Sequence, residues 1–113
     1  MTKGKIVLVP FPFDDLSASK VRPAACLTNP IGTHRHVIIS FISSRIPPDP
    51  LETDLILDSA QSGFSATGLR ATYTLRLHRL MTVAASFFQR ELGMLPSDVQ
   101  KEIQGKLAML FGG

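Results

Sequence analysis

The sequence predicts a mainly β domain closed by a C-terminal helix, an α+β chain whose short strands bend into a small curved sheet or barrel. Three observations carry this. Apolar segments of five to eight residues recur between residues 5 and 79, the length of strands rather than of helices. Pro and Gly clusters separate them, notably Asn29-Pro30-Ile31-Gly32 and Pro47-Pro48-Asp49-Pro50. A helical period takes over only near the C-terminus. Short strands with turn-rich connections and one terminal helix fit a strongly bent sheet with the helix packed on it.

The first strand is predicted at residues 5–11, stopped by Pro10, Pro12 and Phe13. A loop at 12–22 carries Asp14, Asp15, Ser17, Ser19 and Lys20, and a second strand follows at 23–28. Residues 36–43 are apolar on both faces and so predict a central strand. Residues 54–58 predict a short strand, and Gly63 and Gly68 bracket a polar turn region. Residues 72–79 alternate. Tyr73, Leu75 and Leu77 share one face and Thr74, Arg76 and His78 the other, which predicts a half-exposed strand. Ser86 and Gln89 have capping-box spacing and Gly93 is a stop signal, predicting a short helix at 87–92. Ser97 and Gln100 repeat the pattern after Pro96. The helix they open places Val99, Ile103, Leu107 and Leu110 on one stripe, opposite Asp98, Lys101, Glu102 and Lys106.

Composition bounds the function. A chain of 113 residues predicts one domain, residues 1–113, with one modest core. With 44% hydrophobic and 19% charged residues it reads as folded rather than disordered. Twelve Lys and Arg against nine Asp and Glu give a net charge of +3, a mild basic bias that permits a nucleic-acid partner without requiring one. The sequence shows neither a membrane-length apolar run nor a signal-peptide core, so the expected location is the cytoplasm. Cys26 is the only cysteine, which excludes an intrachain disulfide and a thiolate metal cluster. Amid Ala24, Ala25 and Leu27 it reads as a small buried hydrophobe.

Arg22 is the leading functional candidate. It stands in Lys20-Val21-Arg22-Pro23-Ala24-Ala25, where a polar loop gives way to an apolar run. Pro23 pushes its neighbour toward an extended conformation. A guanidinium held at the mouth of a strand is directed at an anion with a permanent charge and several donors.

The ordered motifs around Arg22 resemble the MazF/PemK-like toxins, the ribonuclease halves of type II toxin–antitoxin pairs. Gly4-Lys5-Ile6-Val7-Leu8-Val9-Pro10-Phe11 resembles that family's opening strand, and Val21-Arg22-Pro23-Ala24-Ala25 its Arg-Pro signature. Phe41-Ile42-Ser43-Ser44-Arg45 is similar to its strand end carrying Thr or Ser. Gly68-Leu69 and the segment Thr72–Met81 are similar to its later blocks. The likeness runs from Gly4 to about residue 110.

The resemblance implies an SH3-like curved β-barrel acting as a homodimer. It implies a metal-independent endoribonuclease, without cofactor, that cleaves single-stranded RNA to 2′,3′-cyclic phosphate and 5′-hydroxyl ends. A cognate antitoxin protein is implied as partner. By this likeness Arg22 and Ser43 are the catalytic candidates, and Ser17, Lys20, Ser44, Arg45, Thr72 and Arg76 the candidate substrate contacts. The chain also departs from the family. Many members carry a glutamate five residues before the arginine. Here that position is Ser17, and no Glu precedes Glu52. The family's later acid is replaced by Ala71, next to Thr72. The identity of the general base therefore stays open, with Asp14 and Asp15 as nearby carboxylates.

Other polar residues have plainer readings. His34 and His36 flank Arg35 without a carboxylate nearby, so no metal site is expected there. His78 beside Arg76 fits an RNA-facing or dimer-facing strand. Arg35, Arg45, Arg76 and Arg79 form either a basic RNA surface or a solvated polar face. Phe87, Phe88 and Met109 read as core or dimer contacts, whereas Phe11 and Phe13 are candidate stacking residues for RNA bases. Two classes of function remain: the ribonuclease toxin, and a non-enzymatic toxin or binding module on the same fold, such as a topoisomerase poison.

Overall fold

The computed structural model describes residues 1–11 and 20–112. The predicted sites at Phe13, Asp14, Asp15 and Ser17, and the side chain of Phe11, lie outside the described residues. Six strands, β1 (Lys5–Phe11), β2 (Lys20–Cys26), β3 (His36–Ser43), β4 (Asp54–Leu57), β5 (Tyr73–Ala84) and β6 (Arg90–Met94), precede one helix, α1 (Ser97–Gly112). They form one antiparallel sheet in the order β4-β5-β3-β2-β1-β6, curled into a half-barrel.

Both faces of the central strands are covered, as the unbroken apolar run of β3 predicts. One face packs Ile6, Ala25, Ile42, Leu75 and Leu77 under the helix residue Ile103, with Val99 and Leu107 alongside. The other gathers Val7, Val9, Ala24, Cys26, Val37 and Ile39, fringed by Phe41, Met81, Val83 and Phe88. Cys26 is buried there, and burial pushes its thiol pKa up to about 11, which keeps it protonated and unreactive at neutral pH. Two side-chain bonds tie the helix to the rest of the domain, one from its first turn and one from its middle. Gln100 Nε2 donates to the Leu95 carbonyl at 2.8 Å, and Lys106 Nζ to the Glu52 carbonyl at 2.6 Å.

The structure corrects the predicted helix at 87–92. Ala85–Phe87 make only a single 3₁₀ turn, and Arg90–Met94 form strand β6 against β1. Gly93 is not a helix stop. It sits opposite Ile6 beside a bulge, and the 3₁₀ turn Phe64–Thr67 packs directly over it. A Cβ at Gly93 would collide with the carbonyls of Ala66 and Thr67. The local signal of Ser86 and Gln89 thus lost to sheet pairing and close packing.

Two further boundaries move. β2 begins at Lys20 rather than 23, so Arg22 lies within a strand, opposite Val9, and not in the loop before it. β5 runs on to Ala84, and Thr74, expected on its exposed face, is fully buried. Among the described residues Thr74 Oγ1 has no hydrogen-bond partner.

Gly93→Ala is expected to destabilise the protein by about 1–3 kcal/mol, because the new methyl meets backbone that cannot swing aside. Urea denaturation checks this, and an unchanged midpoint would contradict the contact.

Candidate functional site

β2 and β3 part near one end of the sheet. Their ladder pairs Ala24 with Phe41, Ala25 with Ser40 and Cys26 with Ile39, then ends one residue short of Pro23. Pro23 has no N–H with which to continue it. Extrapolated two residues past its last pair, the same register brings Arg22 across from Ser43. The two line one open groove of about 530 Å³.

A second irregularity supplies the facing wall. β3 pairs with β5 at Ser40–Leu80 and again at Ile42–Leu75, so Arg76–Arg79 fall between these pairs as an extended bulge. The buried Ser40 hydroxyl donates to the Arg76 carbonyl at 3.0 Å and pins the bulge from beneath. Bulges of this kind re-aim side chains beside functional sites. Here Leu77 enters the core while Arg76 and Arg79 line the groove.

The groove is therefore lined by four arginines, Arg22, Arg45, Arg76 and Arg79, together with Ser43. Apolar residues line it as well, namely Phe41, Ile46, Pro47 and Pro48. The Ser43 hydroxyl accepts from the Arg45 N–H at 3.1 Å, a bond that leaves its own proton to donate elsewhere. A lining that combines cationic and apolar side chains suits a ligand with both phosphates and bases. Among the described lining residues there is no carboxylate and no imidazole.

One carboxylate stands directly behind this wall. Asp54, the first residue of β4, pairs with Arg76 across the β4–β5 ladder, and its side chain is 1% exposed. It accepts from Arg76 Nε at 3.0 Å and Nη2 at 3.1 Å, and from the Leu51 N–H at 2.9 Å. His78 Nδ1 is 4.0 Å away, beyond hydrogen-bond range. Burial alone pushes the Asp54 pKa up. The hydrogen bonds from Arg76 and Leu51 and the charges of Arg76 and His78 outweigh that and hold it below the usual 3.8. Sequence reasoning placed Asp54 in a short strand without seeing this role. The signal available was an acid at a strand's first residue, with a basic strand to pair against.

The remaining predicted contacts lie elsewhere. Lys20 is exposed at the start of β2, opposite Phe11, and Ser44 is exposed just past β3. Thr72 bonds to Ser59, accepting from its N–H and donating to its Oγ, both at 3.1 Å. None of the three lines the groove. His34 and His36 lie with ring centroids 5.9 Å apart in an exposed turn. Among the described residues no three His, Cys, Asp or Glu side chains converge as metal ligands.

The family model of PemK-like, MazF-like toxins of type II toxin–antitoxin systems matches residues 2–111. The chain belongs to this toxin family. Solved structures agree on the toxin's fold. A MazE–MazF complex from Deinococcus radiodurans superposes with a TM-score of 0.74 at 21% identity, covering 99% of this chain and 96% of the other. A MazF toxin from Mycobacterium tuberculosis gives 0.71 at 18% identity, covering 96% of each chain. A mycobacterial endoribonuclease bound to its cognate antitoxin gives 0.70 at 13% identity, covering 99% of this chain and 95% of the other. None of the curated proteins compared with the toxin matches it in sequence. Among its described residues no helix is long and apolar enough to cross a membrane.

Because the folded pKa of Asp54 is depressed, its contribution to stability is complete above the unfolded value, near 3.9, and is lost as pH falls through the folded value. Asp54→Asn is therefore expected to cost about 3 kcal/mol at pH 7, toward the low end for a buried pair because Arg76 keeps partial solvent contact. The deficit should shrink below about pH 4. Urea denaturation of both proteins across this range measures it, and a deficit independent of pH would contradict the assignment.

Proposed function

We propose that this toxin is a cytoplasmic, metal-independent endoribonuclease that cleaves single-stranded RNA, with Arg22 and Ser43 as its catalytic residues. The observation that carries this reading is the convergence of Arg22, Ser43, Arg45 and Arg76 on one groove. Further support comes from membership of the toxin family and from a fold shared with mycobacterial endoribonucleases.

In the proposed reaction the substrate's 2′-oxygen loses its proton and attacks the adjacent phosphorus. The bond from phosphorus to the 5′-oxygen breaks, and that oxygen takes up a proton. The products are a 2′,3′-cyclic phosphate and a 5′-hydroxyl. Arg22 neutralises the charge that grows on the non-bridging oxygens, with a fork that can bond two of them. Ser43 donates its hydroxyl to the same phosphate. Arg45 and Arg76 hold the flanking strand, and the apolar wall at Ile46, Pro47 and Pro48 receives a base. Asp14 and Asp15, which precede Arg22 in the sequence, are the candidate acceptors for the 2′-proton.

The same reading includes a homodimer. Phe87 is 57% exposed, beside the fringe formed by Phe88, Met81 and Val83 on the second apolar face. Association would remove this surface from water. A small antitoxin, probed best as an acidic peptide, would occupy the basic groove in competition with RNA. The two MazE–MazF complexes and the antitoxin-bound endoribonuclease among the structural relatives support such a partner.

Purified protein is expected to cleave a long single-stranded RNA in EDTA and to leave 5′-hydroxyl ends. Arg22→Ala should lower the rate at least about a hundredfold with the fold intact, and Ser43→Ala about tenfold or more. Arg22→Lys should also be poor, because an ammonium cannot make the paired contacts. Cleavage that needs added Mg²⁺, or that survives Arg22→Ala, would overturn the assignment. Light scattering at micromolar concentration should show a dimer, and a monomer there would contradict that part of the reading.

A further inference from the structure

The buried carboxylate behind the groove does more than stability requires. Ionised side chains inside a protein are costly even when paired, and an apolar replacement is often as stable. Asp54 is nevertheless placed so that, among the described residues, its charged hydrogen-bonding partner is a residue of the groove wall. It grips Arg76 by Nε and Nη2, one edge of the planar guanidinium. That leaves both Nη1 hydrogens and the second Nη2 hydrogen outside the pair, on a residue that lines the groove.

We propose that Asp54 is a positioning residue, which fixes the Arg76 guanidinium so that its outer N–H groups meet an RNA phosphate in a preset geometry. The inference rests on the groove being the RNA-cleaving site. An arginine on a free side chain must lose rotamer freedom when substrate binds. Here the Asp54 fork already holds the side chain, on a backbone fixed by the cross-strand pairing and the Ser40 bond to the Arg76 carbonyl. The Leu51 N–H fixes the carboxylate in turn.

The pair is close to electrically neutral, so the role of Arg76 in it is directional rather than a matter of net charge. This separates the proposal from plain electrostatics. Asp54→Asn raises the positive charge of the groove by one. If charge alone mattered, RNA would bind more tightly and cleavage would hold or rise. If position matters, the turnover rate falls although attraction grows.

The test is steady-state RNA cleavage in EDTA by wild type, Asp54→Asn, Arg76→Gln and the double variant, each checked for fold by circular dichroism. Asp54→Asn should lower kcat about ten- to a hundredfold while KM stays level or falls. In the Arg76→Gln background, Asp54→Asn should cost nothing further, because the residue it serves is gone. Should Asp54→Asn fail to fold, Asp54→Glu keeps the buried charge while displacing the fork by one methylene, and the same loss in kcat is expected. Wild-type cleavage matched by folded Asp54→Asn or Asp54→Glu overturns this inference alone, as does an equal loss in the Arg76→Gln background. A wild-type protein that cleaves no RNA overturns the ribonuclease reading and this inference with it.

Discussion

The groove depends on the place where β3 and β5 fall out of register. Between the Ser40–Leu80 and Ile42–Leu75 pairs, β5 carries extra residues that cannot lie flat in the sheet. A regular strand would send Arg76 and His78 to one face and Leu77 and Arg79 to the other. The bulge instead seats Leu77 in the core and turns both Arg76 and Arg79 into one concavity. Such an insertion is stable only if its backbone groups find partners. The Ser40 hydroxyl serves the Arg76 carbonyl, the Leu77 N–H donates to the Thr53 carbonyl at 3.3 Å, and Asp54 secures the arginine side chain.

The second break in regularity is complementary. The β2–β3 ladder ends before Pro23, and Arg22 and Ser43 beyond it line the groove. The core below is indifferent to this opening, because Ala24, Ala25 and Cys26 resume full pairing and burial at once. Stability and chemistry are thus divided along single strands. Core residues of β2, β3 and β5 fill the two apolar clusters, while the start of β2, the end of β3 and the β5 bulge supply the groove residues. Arg22, Arg45 and Arg79 are exposed, so their mutual repulsion is screened by water, while Arg76, the least exposed, is paired with the Asp54 carboxylate.

Much of this was legible in the sequence where side-chain period and burial agree. β1, β3 and the stripe of α1 follow directly from their apolar patterns, and the order of motifs around Arg22-Pro23 pointed to the toxin family. What failed was local signal overridden by distant contact. Ser86 and Gln89 look like a helix start, but Gly93 is needed bare beneath the turn at Phe64–Thr67, a requirement visible only in three dimensions. Thr74 alternates as an exposed residue yet is buried, because both faces of β5 are covered at that end. Asp54 was hidden for a similar reason. Nothing near it in sequence reveals that Arg76, on the neighbouring strand, will bulge toward a groove and require an anchor.

The central claim is that this groove receives a scissile phosphate between Arg22 and Ser43, against an arginine held from behind. A crystal structure of the protein with a short RNA carrying one 2′-deoxy nucleotide at the cleavage site tests it most directly, since that substrate binds but cannot react. The phosphate is expected within hydrogen-bond distance of the Arg22 guanidinium and Ser43 Oγ, with Asp54 still paired to Arg76. A phosphate bound elsewhere on the surface, or an Arg76 that abandons Asp54 to reach it, would contradict the account.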